Sequence, residues 1–289
     1  MNILITGSNG QLGSEIRTLS SQYGGHAFVY TDVAELDITD GLVVRQFCVD
    51  HQIHGIVNCA AYTAVDKAET DEAMARRINV LGAENLAKAA VEVGAAMVHI
   101  STDYVFNGRA NVPMKEDDAI DPIGVYGQTK AEGEQAVLAS GADALVVRTS
   151  WLYSAFGSNF VKTIRKYGVE RGHLKVVFDQ VGTPTYARDL AKACLDIITS
   201  GERISAKGNV YHYSNEGAIS WFDFAHAIIE LSGISCTIEP VGSDQFPTAA
   251  RRPNYSVMDK GKIKSDFGIA IPYWRESLVA CIGRLSCGE

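Results

Sequence analysis

The sequence predicts an α/β protein: a doubly wound parallel sheet with a smaller α/β lobe behind it. Three observations predict it. Short apolar runs alternate with amphipathic stretches of helical period up to about residue 150. The first run ends in a turn with glycines three apart, Gly7, Gly10 and Gly13. Residues able to do chemistry, at 7–13, 32, 60–63 and 101–103, fall just after predicted strands. In such sheets ligands lie beyond the carboxyl ends of the strands.

The elements follow in order. Residues 3–6 are a short apolar run ending in glycine, as suits a strand buried on both faces. Residues 11–21 read as a helix with Leu12, Ile16 and Leu19 on one face. Residues 27–31 form a second strand, closed by Asp32, and 41–51 a second helix. A third strand spans 55–59, a long alanine-rich helix 72–93, a fourth strand 96–100, a helix 125–138 and a fifth strand 144–147. Parallel strands joined by right-handed crossovers build a doubly wound sheet of the Rossmann type.

After residue 150 the pattern loosens. Loop then helix is expected over 157–168, strands at 174–178 and 210–213, and helices at 186–199, 221–231 and 275–285. Residues 1–150 therefore read as a dinucleotide-binding domain. Residues 151–289 read mainly as a substrate-binding lobe, with some elements returning to the sheet.

Bulk properties narrow the function. The 289 residues are 46% hydrophobic and 21% charged, an ordinary globular composition. A net charge of −8 argues against nucleic-acid or anionic-membrane partners. No apolar run approaches the roughly 18 residues of a membrane span. Asn2 leads straight into the strand Ile3-Leu4-Ile5, so no secretory leader is expected. The six cysteines form no C-x-x-C pair and no metal-ligand rhythm. Free thiols point to a reducing compartment, the cytoplasm.

The glycines predict a phosphate cradle. Gly7 permits the tight turn, Gly10 lets backbone approach a pyrophosphate, and Gly13 lets the helix pack close to the sheet. The helix start offers free N–H groups and the positive end of its dipole. Asp32 stands about 20 residues on, where a carboxylate binds ribose hydroxyls. Tyr30, Thr31 and Ser8 beside it are not basic and Arg17 is only a distant candidate, so the carboxylate favours NADH, with NADPH open if the loop moves Asp32 aside.

Tyr126 and Lys130 are four apart on a predicted helix and so share one face. Free tyrosine titrates near 10, too high for rapid acid–base work at neutral pH. The Lys130 ammonium and a cationic nicotinamide are both expected to lower it. Thr102, at the end of the fourth strand, is placed to hold a carbonyl oxygen. Hydride transfer to a carbonyl, with Tyr126 as proton donor, is the reaction these groups predict.

On residues 7–13, 57–69, 101–106, 125–130, 148–151, 179–185 and 250–253 the chain resembles the dTDP-4-dehydrorhamnose reductase family, within the extended short-chain dehydrogenase/reductases. The resemblance runs nearly end to end. It implies reduction of the C4 ketone of dTDP-4-dehydro-L-rhamnose, with NADPH commonly and NADH also used. It implies a cofactor site lined by Gly10, Gln11, Leu12, Asp32, Asp37, Ile38, Ala61, Tyr62 and Thr63, with Tyr126 beside the cofactor and Lys130 holding its nicotinamide ribose hydroxyls. It assigns the sugar or nucleotide to Thr102, Asp103 and Trp151. A pyrophosphate also needs cations, and Arg251 and Arg252 suit that task.

The resemblance also brings magnesium-bridged dimers held by glutamates. Glu15 is present, but Arg188 stands where a second glutamate would be. A cation there opposes metal. No metal is expected, and the protein is expected to be a monomer or a homodimer without one.

Two other readings share these motifs. A nucleotide-sugar dehydratase or epimerase would keep Tyr126 and Lys130. A dehydratase also needs a carboxyl pair after the threonine, and Asp103 is followed by Tyr104. A regulatory subunit like the β subunit of methionine adenosyltransferase needs no intact Thr102, Tyr126 and Lys130 set.

Overall fold

The computed structural model describes residues 1–201 and 203–287. The first half comprises β1 (Asn2–Thr6), α1 (Gln11–Leu19), β2 (Ala27–Tyr30), α2 (Gly41–Asp50), β3 (Ile53–Asn58), α3 (Val65–Ala68) and α4 (Glu72–Arg76). A π-helical segment, Arg77–Gly82, joins α4 to α5 (Ala83–Val93). Then come β4 (Ala96–Thr102), α6 (Val125–Ala139) and β5 (Asp143–Thr149). The second half holds β6 (Leu152–Tyr153), α7 (Phe160–Arg171), β7 (His173–Val177), β8 (Val181–Gly182), β9 (Thr185–Tyr186), α8 (Ala187–Ile198) and β10 (Val210–His212). It ends with β11 (Ile219–Ser220), α9 (Trp221–Ser232), β12 (Thr237–Val241), α10 (Gly261–Phe267) and α11 (Trp274–Ser286).

Six strands pair in the order β10-β5-β4-β3-β1-β2, every pair parallel. β2 and β3 lie on opposite sides of β1, so the winding reverses there and opens a crevice at the carboxyl ends. The strands are apolar on both faces because both faces are covered. Ile3, Ile5, Val57, Val98 and Leu145 pack against Leu12, Ile16 and Leu19 of α1 and against Leu190, Cys194, Leu195 and Ile198 of α8. Leu4, Ile56 and Met97 face Val44 and Cys48 of α2, Leu86 and Ala90 of α5, and Val137 of α6. Thus α8 and β10, from the second half of the chain, complete the sheet's cover and edge.

A separate core holds the rest of the second half. Tyr153, Tyr186, Phe224, Ile228, Trp274 and Leu278 pack there, with the parallel pair β12-β7 alongside. The short pieces β6, β8, β9, β11, β12, α3 and α10 have no counterpart in the sequence reading. Most are too short to show a hydrophobic period.

The expected helix 72–93 is real but interrupted. Its π segment carries Asn79, whose Oδ1 accepts the Tyr62 N–H at 2.8 Å and whose Nδ2 donates to Thr129 Oγ1 on α6 at 3.0 Å. The extra residue of a π turn re-aims one side chain, and such turns gather at functional sites. Here it ties the loop after β3 to the helix of Tyr126.

Candidate active site

Gly7 turns the chain from β1 to α1 with φ at +60°. A Cβ there would lie 2.7 Å from the Ala60 nitrogen, so both the torsion and the space require glycine. Gly13 is required for packing: its Cβ would come within 2.5 Å of Ser8 Cα. The N-cap of α1 is Gly10, and no side chain caps the helix. The first-turn N–H groups thus stay available to an anion. These residues fit a dinucleotide's pyrophosphate.

Asp32, two residues past β2, accepts the Asn9 N–H at 3.1 Å, which joins it to the glycine turn. Nearby, Arg17 lies over the Tyr30 ring at 4.0 Å and donates to Ser8 Oγ at 3.3 Å.

Residues from both halves enclose a cleft of about 730 Å³ at the carboxyl ends of the strands. Of the expected site residues it brings together Gly7, Gly10, Gln11, Leu12, Asp32, Asp37, Ile38, Ala61, Thr63, Thr102, Asp103, Tyr126, Lys130, Trp151 and Arg252. Three stand off its wall. Gly13 lies behind it as a packing position. Tyr62 turns its hydroxyl to Asp71, at 3.1 Å. Arg251 is exposed, while its neighbour Arg252 donates to Asp66 Oδ2 at 2.7 Å and to the Tyr104 hydroxyl at 3.2 Å.

α6 sets the reacting groups. Its first N–H, from Val125, is capped across space by Glu69 Oε1 at 3.0 Å. Tyr126 follows at once, and Lys130 lies one turn on. Lys130 is buried and donates from Nζ to the Ile100 carbonyl of β4 at 2.6 Å. Burial lowers its pKa to about 8, with Glu134 acting in the opposite direction. Part of the Tyr126 ring opens to the cleft, with Tyr104 edge-on at 5.5 Å. Burial among its neighbours raises its pKa well above the ordinary value, and the nearby Thr102 hydroxyl only partly opposes this.

That corrects the part of the expected electrostatics that rested on Lys130. Lys130 does not pull the phenol toward ionisation in this structure, because desolvation dominates both groups. Tyr126 is a protonated acid at neutral pH, the state that ketone reduction requires.

Thr102 gives its proton to Asp103 Oδ1 at 3.0 Å and accepts the Tyr104 N–H at 3.2 Å. Burial raises the Asp103 carboxyl to about 6, against the Ser256 and Thr102 hydroxyls, which favour its anion. Behind the site, Asn58 Oδ1 accepts from Thr6 Oγ1 at 2.7 Å and from the Ala60 N–H at 3.2 Å. Asn58 Nδ2 reaches His99 Nδ1 at 2.9 Å. This network pins the ends of β1, β3 and β4 together. Asn58, Asn79, Glu69, Tyr104 and Trp221 are site or supporting residues that sequence reasoning missed. Asn58, Glu69 and Tyr104 lie inside motif blocks, and that was the only signal.

Residues 1–287 match the family profile described as "RmlD substrate binding domain". The chain belongs to the RmlD family. It is 39% identical, over 96% of both chains, to a dTDP-4-dehydrorhamnose reductase of Aggregatibacter actinomycetemcomitans. A crystal structure of a dTDP-4-dehydrorhamnose reductase from Clostridium acetobutylicum superposes with a TM-score of 0.94 at 43% identity, covering 99% of this chain and 100% of that one. The Bacillus anthracis enzyme, solved in complex with NADP, gives 0.92 at 38% identity, covering 98% and 99%.

The magnesium implied for some of the RmlD family does not fit here. Glu15 is fully buried. Arg284 Nη1 donates to its two oxygens at 2.9 and 2.7 Å, Ser154 Oγ donates at 2.6 Å, and Arg188 Nη1 lies at 3.4 Å. A divalent ion on this carboxylate would face two guanidinium groups. Among the described residues no cluster of His, Cys, Asp and Glu could hold a metal. We expect neither EDTA nor added magnesium to change the Tm or the mass measured by light scattering. A magnesium-dependent change in mass would refute this.

Proposed function

We propose that the protein reduces the C4 ketone of dTDP-4-dehydro-L-rhamnose to give dTDP-L-rhamnose, with NADPH as cofactor and NADH as a weaker substitute. NADPH supplies the hydride. The observation that carries this reading is one cleft holding both the glycine turn and the Thr102, Tyr126 and Lys130 set.

Each residue then has a task. The N–H groups of Gln11 and Leu12, which open the helix, take the pyrophosphate, and Gly7 and Gly10 give it room. Asp32 takes ribose hydroxyls, and Asp37 and Ile38 border the adenine. Arg17, beside Ser8, brings the positive charge that a 2′-phosphate calls for. Ala61 and Thr63 flank the nicotinamide end. Lys130 holds ribose hydroxyls and keeps positive charge near the reacting oxygen. Thr102 turns its proton from Asp103 toward the ketone oxygen, and Tyr126 delivers the proton that makes the alcohol. Residues 151–289, apart from α8 and β10, serve mainly as the substrate lobe, with Trp151 against the sugar and Arg252 leaving Asp66 for the pyrophosphate. Arg251, exposed beside it, would steer the anion.

Such a reaction belongs in the cytoplasm, acting on a small nucleotide sugar rather than on a nucleic acid or a membrane. Among the described residues no helix is long and apolar enough to cross a membrane. The homodimer, if formed, needs no bridging metal.

The test is spectrophotometric. dTDP-4-keto-6-deoxysugar generated in situ should trigger oxidation of NADPH, and more slowly of NADH. A steady absorbance at 340 nm with both cofactors, in the presence of the keto sugar, would sink the reading.

A further inference from the structure

Trp151 is one of two non-glycine residues with a left-handed backbone among those described, at φ +47°. A bulky residue holds that conformation only when its surroundings over-determine it. Here they do. Ser150 Oγ donates to the Thr183 carbonyl at 2.7 Å, and the Trp151 carbonyl accepts the Thr185 N–H at 3.2 Å. The indole is gripped as firmly. One face lies on Trp221, with ring centroids 3.6 Å apart and planes 11° from parallel. Its edge rests on Gly182, where a Cβ would come 2.7 Å from Trp151 Cε2. Trp221 is in turn fixed at the start of α9 by a capping box between Ser220 and Asp223, and by Phe160 at 4.6 Å. Both indoles border the cleft.

We propose that Trp221 and Gly182 are positioning residues for the sugar. They clamp the Trp151 indole in one orientation, so that its cleft-facing surface forms a preset apolar floor for a deoxyhexose ring and its methyl group. This rests on the reading of the cleft as a nucleotide-sugar site. The physical logic is preorganisation. An indole free to swing would lose rotamer freedom on binding, whereas a clamped one has lost it already. A sugar that carries C–H and methyl groups on one face gains from a flat aromatic surface. The strained backbone of Trp151 thereby has a use that neither its sequence motif nor its burial explains.

The test compares native protein with Trp221→Leu, Trp221→Phe and Gly182→Ala. Calorimetry measures the Kd for dTDP-L-rhamnose and for NADPH, and steady-state kinetics measure KM for the keto sugar. Circular dichroism follows the exciton couplet of the stacked indoles, a readout independent of turnover. Trp221→Leu should lose the couplet and raise the sugar-nucleotide Kd and KM about tenfold, the scale of one aromatic contact. Its NADPH Kd should stay native. Trp221→Phe should lose the couplet yet recover most of the sugar affinity, since a flat ring still backs Trp151. Gly182→Ala should raise the sugar KM in the same direction by displacing the indole edge. Native sugar affinity in Trp221→Leu overturns the inference. So does an equal loss of NADPH affinity, which would mark a general loss of structure. Native protein that binds no dTDP-L-rhamnose refutes the proposed function, and this inference with it. The native titration tells the two failures apart.

Discussion

Tyr126→Phe should lower kcat by about 100-fold or more, the scale of removing a positioned general acid. The substitution deletes one hydroxyl and keeps the ring edge-on to Tyr104. NADPH affinity should therefore change little. The argument rests on the protonation state. Burial holds the phenol protonated through the neutral range, so the donor is loaded before the ketone arrives. Lys130 sets the alkaline limit. Its pKa is lowered to about 8, so its ammonium is lost as pH rises through that value. In the native protein kcat/KM, which reports groups of the free enzyme, should fall with that alkaline limb. Stopped-flow oxidation of NADPH across pH measures both effects. Turnover by Tyr126→Phe within a few-fold of native would remove Tyr126 as the proton donor.

Glu134→Ala should cost stability by about 3–5 kcal/mol, as expected when one partner of a buried ion pair is removed. It should also move the alkaline limb of kcat/KM to lower pH, since Glu134 favours the Lys130 ammonium. Glu134 and Arg148 are each 2% exposed at the side chain and pair at 2.8 Å, with a second contact from Arg148 Nε at 3.0 Å. Arg148 also donates to the Glu116 carbonyl at 3.3 Å. The pair fastens α6 to β5, directly behind Tyr126 and Lys130. Without Glu134 a guanidinium would remain in a dry interior with no carboxylate. The Tm should drop by several degrees or more in calorimetry. The double replacement Glu134→Leu with Arg148→Met should recover much of the loss, because no charge is then stranded. A Glu134→Ala Tm equal to native would show that the pair does not carry this load.

What the sequence discloses follows from the range of each interaction. The glycine turn and the spacing of Tyr126 and Lys130 are local, so residue types at fixed offsets reveal them. The sheet was readable because each strand is a short apolar run. The return of residues 210–213 to the sheet edge was not placed, since nothing in their composition says which strand they join. Glu69 caps a helix 56 residues away, and Arg284 reaches Glu15 across 269. No periodicity carries contacts of that reach. Arg188 alone signalled a departure at the Glu15 corner, while the stronger partner came from the last helix. The electrostatics of Tyr126 were misread for a related reason. Spacing reveals a neighbouring charge, whereas desolvation depends on everything packed around the ring.

The placement of α8 and β10 has a consequence for how the polypeptide is made. When the ribosome has released only about the first 150 residues, β5 is paired with β4 on one side and open on the other. The greasy surface of Ile3, Val57, Val98 and Leu145 still lacks α8. The nascent segment therefore holds its nucleotide cradle next to an uncovered sheet until some 60 further residues emerge. Truncations that stop short of His212 should leave a sticky fragment in need of a chaperone, not a small working module.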